Sequence, residues 1–324
     1  MLTVGRDTIV VAASAGAAEA LRLLLGTLPA DLPAAVLVVP QGAGPPAGVL
    51  DRAGPLKTLP AEDGRIVEHG HVYVAGPGRH LLLDDGRIRL SRGPRHHGRR
   101  PAADPLFMSA ALDAGVRVAA VVLSGALDDG ARGCVAVDRH GGAVAVQDPA
   151  EAALPGMPVA ALTAVPNASV LPARELADWL VRQSRTPVIT EEAVDDTDLI
   201  REVSRFLGPP SAPGEAADGL TGLSCPECGG PLYETAGRHV CRVGHSWSEE
   251  SLVDAQADAM ERALWAAVHR LEERVRILDR LERSAGKRSR GDLLEEAAST
   301  RHVLDTIRTL QTRTGRGDSG LLPL

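Results

Sequence analysis

Three sets of residues carry side chains suited to chemistry. The first is Ser14, in the run VVAASAGAAEAL from Val10, where an apolar strand-like stretch gives way to a helical pattern. A serine at the carboxyl edge of a parallel strand stands where such folds place ligands, and the following helix start offers free N–H groups for an oxyanion. Three readings are open: a helix N-cap, an anion-binding turn and a nucleophile. Capping is the ordinary one, since serine is a preferred cap residue. Gly16 is the only glycine in the loop, so neither a dinucleotide fingerprint nor a P-loop is matched. The second set is Ser124-Gly125-Ala126-Leu127-Asp128-Asp129-Gly130, again after an apolar run and before a helix. Its acidic pair can serve the helix dipole, or one carboxylate can orient a catalytic base beside Ser14.

The third set is Cys225-Pro-Glu-Cys228, followed after twelve residues by Cys241-Arg-Val-Gly-His245. Two knuckles carrying Cys225, Cys228, Cys241 and His245 match a closed tetrahedral site, so a structural Zn2+ is expected and no organic cofactor. Gly229, Gly230 and Gly244 supply the tight turns, and His239 is the only nearby rival ligand. A redox role for the Cys-x-x-Cys pair is disfavoured by the matching second half. Few basic residues and the following Glu249-Glu250 point to protein contact rather than nucleic acid. The remaining cysteine, Cys134, reads as an inert core residue.

The elements that must position these groups follow from apolar periodicity. Strand-like runs at 8–13, 35–39, 118–123 and 143–147 alternate with helical stretches at 16–26, 104–114 and 129–138. Strands apolar on both faces imply an α/β fold with a doubly wound, mainly parallel sheet. Residues 79–92 show two alternating segments around Asp84-Asp85-Gly86, a hairpin expected to extend that sheet antiparallel. A strand at 168–171 and a helix at 173–183 close the unit. The expected organisation is 1–185 for the α/β domain, 186–219 for a short helix and linker (linker composition at 208–219), 220–248 for a zinc ribbon and 249–324 for an α-helical hairpin and tail. Its helices are expected at 249–283 and 292–311, with Gly286 and Gly291 between them. Their stripes are Ala257, Met260, Leu264, Ala267, Leu271, Leu278 and Leu281, then Leu293, Ala297, Leu304, Ile307 and Leu310. Mutual burial is the plain reading of these stripes, and a homodimer through them the sharper one.

Composition narrows the function classes. Net charge is −7 over 324 residues, which argues against a general nucleic-acid binder. No run reaches membrane-span length and no signal-peptide layout opens the chain, so no membrane insertion and a cytoplasmic location are expected.

The order of five segments resembles the catalytic domain of the CheB methylesterases. They are VVAASAGA (10–17), AEDGRIVEHGHVYVAGPGRHLLL (61–83), RRPAADPLF (99–107), VVLSGALDDGARG (121–133) and QDPAEAALPGMP (147–158). The resemblance covers about residues 7–183. It implies a flavodoxin-like or Rossmann-like fold and a Ser-His-Asp triad that removes methyl groups from glutamate methyl esters on methyl-accepting chemoreceptors. Carried over, Ser14 takes the nucleophile position, Asp129 the orienting carboxylate, and the backbone at Ala15 and Ala126 the oxyanion site. At the histidine position this chain has Gln41, which cannot accept the serine proton near neutral pH. Weak or absent ester hydrolysis is therefore expected unless His71, His80, His96 or His97 folds into the site, and the alternative is a pseudoenzyme that serves as a signalling or scaffold module. The sequence opens at the first strand of this domain, so control by a receiver domain within the chain is not expected.

Overall fold

A computed structural model describes residues 3–42, 44–189, 196–207, 219–235, 237–284 and 287–314. The chain divides into two compact units, Met1–Leu252 and Val253–Leu324.

In the first unit, β1 (Thr3–Val4) is followed by β2 (Thr8–Ala13), α1 (Ala18–Thr27), β3 (Ala35–Pro40), α2 (Ala47–Leu50), β4 (Lys57–Pro60) and β5 (His71–Val74). Then come β6 (His80–Asp84), β7 (Arg87–Ser91), α3 (Ala103–Ala114), β8 (Val118–Val122), α4 (Ala131–Arg139), β9 (Ala143–Gln147) and α5 (Gly156–Ala164). After β10 (Ser169–Leu171), α6 (Ala173–Arg185), β11 (Val188–Ile189) and α7 (Thr197–Leu207), a second set of strands follows: β12 (Leu220–Ser224), β13 (Pro231–Thr235), β14 (Arg238–Cys241) and β15 (Ser246–Trp247).

Seven strands form one sheet in the order β10-β9-β8-β2-β3-β5-β4, every neighbour pair parallel. The alternation of β2 shows why its sequence is apolar from Ile9 onward. Val10 and Ala12 enter one core with Leu106, Phe107 and Val137 from α3 and α4, while Ile9, Val11 and Ala13 enter the other with Leu21, Leu24 and Leu180 from α1 and α6. A strand buried on both faces needs a side chain of the same apolar character at each position. The chain moves from β2 to β3 on one side of the sheet and later reaches β8 on the other. The carboxyl ends of β2, β3 and β8 therefore flank a topological switch point, where open α/β sheets form a crevice.

The expected sheet extension at 79–92 is corrected. Strands β6 and β7 form a separate two-stranded sheet, and β7 makes one further antiparallel bridge, Arg87 to Ile66. Leu81, Leu82, Leu83 and Ile88 are all buried in the core that contains α3. The hairpin is held by that apolar face, and the sheet edge is instead β4, whose last residue, Pro60, suits an edge strand. Of the linker expected over 208–219, all but Gly219 lies outside the described residues.

Strands β12 to β15 make a four-stranded antiparallel sheet in sequence order. It packs on the 94–98 loop of the same unit. The His97 N–H donates to the Ser246 carbonyl at 3.0 Å, Arg95 pairs with Glu227 at 3.2 Å, and a Cβ on Gly98 would stand 3.2 Å from the Trp247 ring.

In the second unit, α8 (Glu249–Ser284), which begins in the first, continues, and α9 is Lys287–Thr314. Arg301 pairs with Asp279 at 2.5 Å and Arg308 with Glu272 at 2.7 Å, so the two helices run antiparallel. Two expectations change here. Gly291 lies inside α9 rather than before it, since one exposed glycine costs a helix only about 1 kcal/mol. Of the expected stripes, Leu278, Ala297 and Leu304 are buried, but Ala257, Met260 and Leu281 are exposed and Val268 is buried instead. Ala257 and Met260 precede Glu272 by twelve residues or more, beyond the last cross-helix pair.

Candidate active site

Ser14 follows β2 directly and Gln41 follows β3. Their backbones are fixed by the parallel ladder: Gln41 N–H donates to the Ala13 carbonyl at 2.8 Å, and Ser14 N–H to the Ser124 carbonyl at 3.0 Å. Together with Ala15, Gly16, Pro40, Arg99 and Ala126 they line a cleft of about 330 Å³. The capping reading of Ser14 is overturned. Helix α1 is preceded by Ala17, with no side-chain cap, and the Ser14 hydroxyl has no hydrogen-bond partner among the described residues. The backbone N–H groups of Ala15 and Ala126 are likewise uncommitted there.

Three backbone devices bring the loops together. Ser124 Oγ donates to the Ala15 carbonyl at 2.9 Å and accepts from Leu154 N–H at 2.9 Å, tying the Ser14 loop to the 153–157 segment. A Cβ on Gly125 would stand 2.8 Å from Ser14 Cβ and 2.1 Å from Met157 Sδ, so this position must be glycine for the serine to sit where it does. Leu127 holds a positive φ of 62°, a conformation that costs a branched side chain energy and is retained where surrounding contacts enforce it.

Asp129 is buried below the cleft. Its Oδ2 accepts from Ala103 N–H at 2.8 Å and its Oδ1 from Asp104 N–H at 3.0 Å, both at the amino end of α3. Gln41 Nε2 donates to the same Oδ2. The NH2 end of the amide thus faces Asp129. An amide oxygen can accept a hydrogen bond from a serine hydroxyl but cannot hold its proton. Burial, and then the charge of Asp104, push the Asp129 carboxyl above the usual range, against the opposing effects of His97 and the two N–H donors.

None of the four candidate histidines lines the cleft. His71 begins β5, at the opposite edge of the sheet from the carboxyl ends. His80 is fully buried, with Nε2 against the Pro94 carbonyl at 2.9 Å and Nδ1 accepting from Ala102 N–H at 3.3 Å; burial lowers it to about 4, so it is neutral. His96 and His97 lie behind Asp129 and meet Asp104 Oδ2 at 2.9 and 3.4 Å. Burial, then the nearby Arg238 charge, hold His96 well below its ordinary value. His97 Nδ1 lies 2.9 Å from Ser251 Oγ, but both terminal nitrogens of Arg238 stand 3.0 Å from His97 Nε2, so that nitrogen accepts and no serine–histidine–carboxylate relay forms. Ser251 is 2% exposed, so no substrate reaches it.

Asp104 was legible only as part of a motif, yet it joins most of this region. Its Oδ1 accepts from Gly130 and Gly133 N–H at 3.0 and 2.8 Å, and its Oδ2 meets Arg238 at 3.1 Å. Burial alone would raise its carboxyl, but the His96 hydrogen bond and the Arg238 charge outweigh that and hold it well below the usual range. Arg99 was also missed as a cleft residue, since nothing in a basic run says which arginine turns inward.

The Cys225, Cys228, Cys241 and His245 ligand atoms form a cluster that can hold a metal ion. Cys225 Sγ is 3.6 Å from His245 Nδ1, Cys228 Sγ is 3.6 Å from Cys241 Sγ, and Cys241 Sγ is 3.5 Å from His245 Nδ1. Donors about 2.0–2.3 Å from a tetrahedral centre have separations of this size. Glu227 lies 3.7 Å from His245 Nε2, the nitrogen facing away from the cluster, as an orienting carboxylate does around metal sites.

A doubly covered parallel sheet with a serine-bearing cleft at its switch point defines a doubly wound α/β domain with a ligand-type crevice. The chain belongs to the CheB methylesterase family, whose model matches residues 9–180. Among similar curated proteins, protein-glutamate methylesterase/protein-glutamine glutaminase 1 of Xanthomonas campestris pv. campestris is 37% identical over 183 residues, covering 54% of this chain and 51% of the relative. Protein-glutamate methylesterase/protein-glutamine glutaminase 2 of Methanosarcina mazei is 33% identical over 189 residues, covering 55% and 52%. The chain thus spans about half the length of the curated relatives it matches. The crystal structure of the Thermotoga maritima CheB methylesterase catalytic domain is 30% identical with a TM-score of 0.52, covering 54% of this chain and 97% of that one.

Proposed function

We propose that the Ser14 cleft binds glutamate methyl esters of a methyl-accepting chemoreceptor or similar signalling protein and hydrolyses them far more slowly than a complete triad would. The observation that carries this is the Gln41 amide donating to Asp129. Ser14 is the nucleophile position, the N–H groups of Ala15 and Ala126 the oxyanion donors, and Asp129 the orienting carboxylate, with no side chain in the cleft able to take the serine proton. Losing one triad member leaves roughly 10³–10⁴-fold catalysis over water from binding and the oxyanion site. The same observation favours a second reading, a binding module without turnover.

Methanol release from a methyl-esterified receptor peptide separates the two. Slow release abolished by Ser14→Ala supports the weak esterase and sinks the pure binding module. Release that appears only in Gln41→His supports the binding module. No release in either, with no peptide binding, overturns both.

We further propose that the Cys/His module is a zinc ribbon with one structural Zn2+, on the strength of its four donors and their separations. Elemental analysis finding no metal in the folded chain overturns it. The helices α8 and α9 are proposed to pair two copies, supported by exposed Val253, Met260 and Trp265. A monomer mass by light scattering at micromolar concentration overturns that. No helix among the described residues is long and apolar enough to cross a membrane, which supports a cytoplasmic site of action.

A further inference from the structure

Behind Asp129 lies a second polar cluster whose members come from two parts of the chain. His96, His97, Asp104 and Asp129 place ligand atoms within 4.8 Å of one another, the arrangement of a metal site. A cation already fills it. Arg238, at the start of β14 and 7% exposed, sets Nη2 3.1 Å from Asp104 Oδ2 and both Nη1 and Nη2 3.0 Å from His97 Nε2. Its guanidinium offsets the buried Asp104 charge, so the cluster needs no metal.

Arg238 lies outside the family match, which ends at residue 180, and only three residues before Cys241. From it the hydrogen bonds run without a gap to the cleft. Asp104, held by Arg238 on Oδ2, accepts from the Gly130 and Gly133 amides on Oδ1 and so fixes the start of α4. Asp104 N–H in turn donates to Asp129, which accepts from Gln41. The position of Asp129 thus depends on two loops, and Arg238 braces both through one carboxylate that His96 also meets. The module's backbone adds to the link where Ser246 accepts from His97 N–H.

We propose that Arg238 is a positioning residue for Asp129, and that metal occupancy of the Cys/His module sets the geometry of the cleft through it. This rests on the reading of that module as a metal site and of Asp129 as the orienting carboxylate. The cleft then senses zinc availability, or any partner that disturbs the module.

Amide hydrogen exchange on the full-length, metal-loaded chain tests it, because the amides of Ala103, Asp104, Gly130 and Gly133 report on the braced carboxylates. Stripping the metal with a chelator, or Arg238→Ala, is expected to speed exchange about tenfold or more in peptides covering 101–107 and 128–134. Peptides covering β2 and β3 should not change, and Arg238→Lys, which keeps the charge but loses the fork, should fall between. Metal loss that loosens 220–248 and leaves 101–107 and 128–134 unchanged overturns the proposal. So does a 220–248 segment that stays folded without metal, or an Arg238→Ala protein with native exchange in those peptides. A second arm uses Gln41→His: adding Arg238→Ala should lower kcat at least tenfold with KM within twofold, whereas a change in KM alone overturns the positioning role. If Gln41→His releases no methanol, the esterase reading fails while the exchange arm still decides this one.

Discussion

At the scale of single residues, the chemistry turns on one side chain. In the proposed reading Gln41 sits where a base is needed: its NH2 donates to Asp129, and an amide makes that hydrogen bond without supplying a proton acceptor. His80 carries a separate, measurable consequence. Its ordinary value is 6.5 and burial lowers it to about 4, so the folded state binds its proton less readily than the unfolded state between those two pH values. Stability from this group is therefore fully present above about pH 6.5 and lost as pH falls toward 4. At about 1.4 kcal/mol per pH unit, the loss is about 3 kcal/mol. Urea denaturation between pH 4 and 7 should show this slope, and His80→Leu should flatten it; an unchanged slope refutes the assignment. Gly125 gives a steric prediction. Gly125→Ala forces the Ser14 and Met157 side chains apart and should cost about 1–3 kcal/mol by thermal denaturation, with loss of whatever reaction Ser14 supports.

At the scale of elements, Asp104 joins the start of α3 to the start of α4. Asp104→Asn keeps an acceptor for Gly130 and Gly133 but leaves Arg238 buried without its charge partner. Removing one member of a buried pair costs about 3–5 kcal/mol, so chemical denaturation should show a loss of that size. In the second unit, the pairs Arg301–Asp279 and Arg308–Glu272 are roughly half exposed, and such pairs contribute less than about 1 kcal/mol each. The buried residues carry more. Leu278→Ala, at a position 5% exposed, should lower stability by about 2–4 kcal/mol, while raising salt to 1 M should change helicity little. A strong salt effect on circular dichroism would reverse that ranking.

At the scale of the whole molecule, a family domain and a metal-type module share one compact unit. The module is small: its described strands bury only Leu232, Val240, Cys241 and Trp247 among larger apolar groups, together with Cys225 just outside them. A core that size does not fold a sheet by itself, and metal binding supplies the missing free energy in such cases. Chelation should therefore melt 220–248, seen as loss of Trp247 fluorescence signal, at temperatures where the main sheet persists; coincident melting at the untreated temperature would contradict this.

The sequence by itself determined the parallel sheet, because strands buried on both faces must be apolar at nearly every position, as β2 beyond Thr8, β3 and β8 are. It also determined the Cys/His cluster, because the spacing of such side chains within two tight knuckles is a local property. That a glutamine, Gln41, follows the second sheet strand was visible too. Only the tertiary structure decided the rest. Ser14 is free rather than a cap because β8 and the 153–157 segment, remote in sequence, hold its loop. The hairpin at 79–92 leaves the sheet because its apolar face finds α3, a choice that alternation alone cannot express. Which histidines and arginines face the cleft, and that Arg238 reaches Asp104 across 134 residues of sequence, follow from packing between distant segments, for which single-chain periodicity holds no record.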